Sequence, residues 1–217
     1  MGLNENVIKV HIAVFFEESP DAFKLALALK ETFSTMFPND PQMIPLPPEA
    51  PADAPRCVFQ NAEGSANLTF GLNRMDLDNL LKVGSPWRNH IEVIELAFIA
   101  ICKACEIKIK RLGIVVQTLA DDILIQNVNN KIDINNFSES DEKSIAWVVH
   151  EKVCDSLKFN VNTNIQINYK NPESNGILTF DVNTSVNSCL PKEDTELVKI
   201  IGLLLDRIEE KMKDVFN

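Results

Sequence analysis

CVFQNAEGSANLTFGLN, residues 57–73, and INYKNPESNGILTFDVN, residues 167–183, align without a gap. Leu68-Thr69-Phe70 falls on Leu178-Thr179-Phe180 and Phe59 on Tyr169, and the match of Asn73 to Asn183 sets the offset at 110. Each stretch alternates apolar and polar residues on either side of a polar, turn-forming cluster, so each reads as a β-hairpin. Each is preceded by an apolar strand and a helix, and each is followed by a long helix opened by a proline. That order predicts two pseudo-repeated β-α-β-β-α halves, 1–106 and 107–217, within a single domain spanning 1–217. The period is too long for a solenoid unit, so the expected fold class is α+β. It has one antiparallel sheet with helices on one face.

The flanking elements follow from local chemistry. In 7–17 Ile8, Val10, Ile12, Val14 and Phe16 share one face of a strand, and Lys9, His11 and Glu17 share the other. Ser19-Pro20-Asp21 opens a helix, with Ser19 as N-cap, and Phe23, Leu27, Phe33 and Phe37 are expected along its core side until Pro38 ends it. Residues 38–55 hold seven of the eleven prolines. Without donors for a ladder this stretch runs extended as a stiff connector. Ser85-Pro86 opens a helix to about Cys105, with Trp87, Ile91, Ile94, Phe98, Ile101 and Cys105 on one stripe. Val93, Ala97, Ile99 and Ala100 extend its apolar surface.

The second half starts with a strand over 107–118 whose alternation changes phase at Lys110-Arg111, the mark of a bulge or of the true strand start. Ser138-Glu-Ser-Asp141 is expected to open a helix with Ile145, Val148, Val149, Val153 and Leu157 on one face. Strands at 161–170 and 176–185 pair as the second hairpin. A last helix over 192–216 carries the core stripe Leu197, Ile201, Leu204, Ile208 and Val215, with Ile200, Leu203 and Leu205 outside it.

A net charge of −10 argues against a phosphate-binding surface, so no nucleic acid is expected as partner. The basic run Lys108, Lys110, Arg111 reads as solvated strand edge. No stretch reaches the length of a membrane span, and the start of the chain lacks a basic leader region, so no membrane is expected. Five irregularly spaced cysteines point to reduced thiols and a cytoplasmic setting. Cys102 and Cys105 are read as core residues, because no second pair completes four metal ligands. No cofactor and no catalytic residue emerge. His11, His90 and His150 lie on separate elements, and no phosphate-binding glycine loop is present. The polar positions left as candidate ligand-binding residues are Asn73 and Asn183, paired by the repeat, and Asp121 and Asp122 in the Asn-rich stretch 119–137.

The strand-helix opening ending in Phe37-Pro38, the Leu46-Pro47-Pro48 segment, Leu68-Thr-Phe-Gly-Leu-Asn73, Trp87 and Arg111-Leu112-Gly113-Ile114 together resemble a sporadically distributed family of uncharacterised bacterial proteins. In that family the Arg-Leu-Gly strand continues with Arg-Tyr and then Asn, whereas here it reads Val115-Val116-Gln117-Thr118. The resemblance implies a fold and a bacterial or phage cytoplasmic context. The expected function is a non-enzymatic protein-interaction or regulatory module, in a mobile or defence-type locus. Its expected partner is a protein or a second copy of itself, as a two-fold dimer through helix surface of 86–105 or 192–216. The alternative is an enzyme or small-ligand binder with a cleft between the halves.

Overall fold

Alternation of apolar residues over Val10–Phe16 carries the strand β1 (Val7–Phe16), and a register shift between Val7 and Lys9 puts Val7 in the core where Ile8 was expected. The computed structural model describes residues 6–120, 142–153, 157–168, 176–186, 188, 190–191 and 193–216. The elements in chain order are β1, α1 (Ala22–Thr32), β2 (Gln42–Met43), β3 (Cys57–Gln60), β4 (Ala66–Phe70), β5 (Arg74–Leu80), α2 (Trp87–Ala104), β6 (Ile109–Leu119), β7 (Glu142–Lys152), β8 (Lys158–Asn168), β9 (Ile177–Thr184) and α3 (Asp194–Phe216). Among the described residues the strands form one sheet of nine, in the order β2-β3-β4-β5-β1-β6-β9-β8-β7, with every neighbouring pair antiparallel. Among the described residues no helix is long and apolar enough to cross a membrane.

One apolar rung shows how the core is assembled. Phe59, Leu68, Leu77, Ile12, Ile114, Val182, Val161 and Val149 stand opposite one another in successive strands from β3 to β7. All but Val149 are buried. The helices cover this face: α2 lies on β1 and α3 on β9 and β6, while α1 packs beside α2. Phe33 bridges layers, its ring 5.5 Å from that of Phe98 and 6.5 Å from that of Phe37, which in turn meets Phe59 at 6.0 Å. Among the described residues no helix lies on the other face of the sheet, which is polar, as an antiparallel sheet permits.

Several expectations need correction. The helix expected from Ser138 is instead strand β7, paired with β8 rung for rung from Glu142↔Asn168 to Lys152↔Lys158. Branched and aromatic residues crowd Ile145–Val149, and eleven ladder rungs outweigh an apolar spacing that also suits a helix. Residues 138–141 lie outside the described residues. Strands β2 and β5 are additional elements, so the first half reads β-α-β-β-β-β-α, not β-α-β-β-α. The N-cap of α1 is Asp21, not Ser19: its carboxylate accepts from the backbone N–H of Phe23 and Lys24, both at 3.0 Å. The core side of α1 carries Leu25, Leu29 and, just past its end, Phe33, whereas Phe23 and Leu27, expected in the core, are exposed. Cys102 is buried and Cys105 only half-buried, while Ile200 and Leu205 belong to the core of α3. Val215 lies among residues whose side chains are not described. The phase change at Lys110 is a register shift between Phe15↔Arg111 and Phe16↔Ile109, and Lys108, Lys110 and Arg111 open a central strand instead of an edge.

The two hairpins matched in sequence do not occupy equivalent places. β4 is separated from β1 by β5, whereas β9 pairs directly with β6. Outward from the central pair the order is β1-β5-β4-β3 on one side and β6-β9-β8-β7 on the other.

Candidate functional site

The uncovered face is built by the positions that alternate with the core. Three rungs cross its centre. Arg74, Phe15 and Arg111 form the first. Asp76, Ala13, Gly113, Asn183, Asn160 and His150 form the second. Asp78, His11, Val115, Asp181, Asn162 and Val148 form the third. Ala13 and Gly113 leave a shallow saddle where the two halves meet. A side chain at Gly113 would crowd Asn183, whose Cβ stands 3.3 Å from the position of the missing Cβ.

On one side of the saddle the network is ionic. His11 lies 3.2 Å from both Asp76 and Asp78, Lys9 lies 2.7 Å from Asp78, and Arg74 pairs with Asp76. Burial opposes the charge on His11, but its bonds to the two carboxylates outweigh that and raise its pKa to about 9. The hydrogen bond from His11, with help from Lys9 and against burial, lowers Asp78 to about 2. The Phe15 ring stacks between two guanidiniums, with Arg111 Cζ 4.2 Å and Arg74 Cζ 4.8 Å from its centroid. Burial lowers the pKa of Arg111; Arg74 reinforces this and Asp181 opposes it.

On the other side the network is amide-based. Asp181 accepts from Asn162 at 2.9 Å and from Asn183 at 3.0 Å, and Asn183 accepts from Asn160 at 3.1 Å. His150 Nδ1 lies 2.8 Å from Asn160 Oδ1. These groups spend their hydrogen bonds on one another. His11, protonated at neutral pH, donates to two acids and has no lone pair with which to act as a base. The centre of the face is a structured, solvated surface. A hollow on it, bordered by Lys9, His11, Asp78, Val115 and Gln117, measures about 150 Å³.

Of the sequence candidates, Asn183 is buried in this lattice. Asn73 is exposed in the β4–β5 turn, where its carbonyl accepts from Phe16 N–H at 2.8 Å. Three strand spacings, roughly 14 Å, separate β5 from β9, so the two asparagines do not converge. Asp121 and Asp122, and the rest of 121–137, lie outside the described residues. A larger cavity of about 540 Å³ opens where the end of α2, the start of β6 and the start of α3 meet. Ile99, Cys102, Ile107 and Leu197 wall it, and Lys103, paired to Asp194 at 2.6 Å, stands at its rim. Burial, with a smaller effect from Cys105, pushes the Cys102 thiol up to about 12, so it is not a nucleophile at neutral pH.

The outer surface of the helix layer is different again. Phe23 is 80% and Leu27 61% exposed on α1, and Val93 is 68% and Leu96 49% exposed on the adjoining α2. Of these only Val93 reads in the sequence as apolar surface beyond the main stripe; Phe23 and Leu27 are expected there on the core side of α1, which Leu25, Ala26 and Leu29 take instead.

Fold and surfaces define an open-faced antiparallel α+β protein with a charged sheet face and an apolar helix face. No protein-family model matches the chain, and no curated protein is significantly similar to it.

Proposed function

We propose that the protein is a non-enzymatic interaction module, regulatory in role, that presents the outer surface of α1 and α2 to a partner protein. The exposed apolar side chains of Phe23 and Leu27 on α1 and of Val93 and Leu96 on the adjoining α2 carry this reading. Burying such side chains contributes about 1.5–3 kcal/mol each, and apolar side chains clustered on adjoining exposed helices mark association surfaces. The His11–Asp76–Asp78 and Asn162–Asp181–Asn183 networks are bonded internally, which supports the same reading, although Arg74 Nε and Arg111 Nε beside Phe15 have no hydrogen-bond partner. The test is a pull-down from the source cell with wild-type chain and a Phe23→Glu/Val93→Glu variant of unchanged circular dichroism. A stoichiometric protein retained by the first and lost by the second is the expected result. Equal retention by both, or no stoichiometric partner, refutes it.

A second reading, a small-ligand binder working between the halves, is favoured by the cavity of about 540 Å³, which falls in the size range of ligand sites. A Leu197→Trp variant that fills it should abolish binding of any small molecule that raises the melting temperature of the wild-type chain. We also infer that the halves arose by duplication in the order β5 with β9, β4 with β8 and β3 with β7, a reading supported by the strand order around the β1–β6 seam. Diverged relatives in which 74–80 aligns with 177–184 better than 66–70 does would bear this out; the reverse would end it.

A further inference from the structure

The cavity of about 540 Å³ has apolar walls, and its mouth is charged unevenly. Two lysines stand there, and both are engaged: Lys103 pairs with Asp194 at 2.6 Å and Lys108 with Glu18 at 3.5 Å. Two further carboxylates line the same cavity, Glu17 just after β1 and Glu193 just before α3. Among the described residues neither side chain has an ion pair or a hydrogen bond. The helix ends do not reverse this sign. The positive end of α3 opens at the mouth, but Asp194 and Glu196 in its own first turn answer it, and Lys103 answers the negative end of α2. The charge left unanswered at the mouth is negative.

A neighbouring hollow of about 190 Å³ shares Ile107 and Lys108 with this cavity and is bordered by Glu106. Among the described residues Glu106 is the one non-glycine residue with positive φ, at 60°. The end of α2 accounts for the angle. Ile107 N–H donates to the Cys102 carbonyl at 2.7 Å and Glu106 N–H to the Lys103 carbonyl at 3.1 Å, a helix stop that glycine suits best. A glutamate in this conformation costs stability that a glycine would not. Its carboxylate has no ion pair or hydrogen bond among the described residues, so it adds a third unanswered acid beside the mouth. Residues that the local backbone disfavours gather at ligand clamps and active sites.

We propose that this cavity binds a small organic cation, an amine with an apolar body: the body lies against Ile99, Ile107 and Leu197, and Glu17 and Glu193 take the ammonium, with Glu106 adding to the field. The proposal rests on the small-ligand reading given above and supplies its ligand class. The apolar walls draw the body, and the unanswered acids choose the head. Isothermal titration of the full-length chain at low ionic strength compares phenylbutylamine, phenylbutanol and phenylbutyrate, which share one body. The amine should bind about tenfold tighter than the alcohol, the carboxylate should bind weakest, and added salt should shrink the difference. In Glu17→Gln/Glu193→Gln the alcohol should bind as before and the amine should lose its advantage. Leu197→Trp, or Thr195→Trp at the exposed rim where the first variant does not fold, should abolish binding of all three. Glu106→Gly should raise the melting temperature of the free chain and weaken the amine by about twofold. An alcohol that binds as tightly as the amine, or an amine preference that survives the double Gln variant, overturns the proposal and leaves the small-ligand reading standing. No binding by any of the three at millimolar concentration, or binding untouched by a tryptophan in the cavity, overturns both. A lower melting temperature for Glu106→Gly overturns the part given to Glu106.

Discussion

Glu95 gives the sharpest test of the packing described above. It lies on α2 between Ile91 and Ile99 along the buried side, it is 1% exposed, and neither carboxylate oxygen has a hydrogen-bond partner. Burial raises its pKa from 4.5 to about 8. The native state therefore holds a proton that the unfolded state releases from pH 4.5 upward. Stability falls as pH rises between those two values, by about 1.4 kcal/mol per unit, and levels off above pH 8. At pH 7 the deficit is roughly 3 kcal/mol relative to pH 4.5. Glu95→Leu, of similar bulk and without the orphan oxygens, should recover most of it: about 3 kcal/mol at pH 7 but under about 1 kcal/mol at pH 5. Urea unfolding at a series of pH values, followed by far-ultraviolet circular dichroism, measures both slope and offset. Parallel pH profiles for wild type and variant, or a Leu variant less stable at pH 7, would refute the reasoning.

His11 adds a second alkaline limb. Its pKa is raised to about 9, so its contribution is fully present below pH 6.5 and lost as pH climbs through 9. His11→Gln should flatten that limb by about 1–2 kcal/mol after allowing for solvent screening, visible as a smaller loss of unfolding free energy between pH 6 and pH 10. Gly71 abuts the connector: an added Cβ would sit 2.7 Å from the Ala52 carbonyl oxygen and 2.9 Å from that of Ala54. Gly71→Ala should therefore cost about 1–3 kcal/mol in thermal unfolding and speed proteolytic nicking within 38–55. Thr184 Oγ1 accepts from the buried Leu112 N–H at 3.0 Å, so Thr184→Val should cost about 1–2 kcal/mol in urea while its near-ultraviolet spectrum stays unchanged.

Period and punctuation made β1, α2, α3 and both hairpins readable, and the bulge at Lys110 showed as a change of phase. β5 escaped because its outward positions Asp76 and Asp78 and its inward Asn79 are residues that strands disfavour. They are tolerated there because His11, Lys9 and Arg74 pair with the two acids. β7 escaped because Ile145, Val148, Val149 and Val153 also fit a helical spacing, and only pairing with β8 decides between the two. The ungapped match of 57–73 to 167–183 reflects what any hairpin with a buried Leu-x-Phe face shares. The sheet face was beyond reach for a different reason. Its rungs join residues as distant as Ala13 and Asn183, and their adjacency follows from register across β5, β1, β6, β9 and β8, which no local pattern encodes.

The seam between β1 and β6 also has a consequence for how the chain comes into being on the ribosome. The first half can close from β1 to α2 as soon as it emerges, but β1 then has β5 on one side only. Its other partner is more than ninety residues downstream, from Ile109 to Leu119. At ordinary elongation rates of roughly 5–20 residues per second, the middle strand of the finished sheet spends several seconds as the border of an unfinished one. During that interval Val7–Phe16 presents an unsatisfied backbone row to any neighbouring nascent chain. Polysomes translating this message densely are where tangled products should first appear.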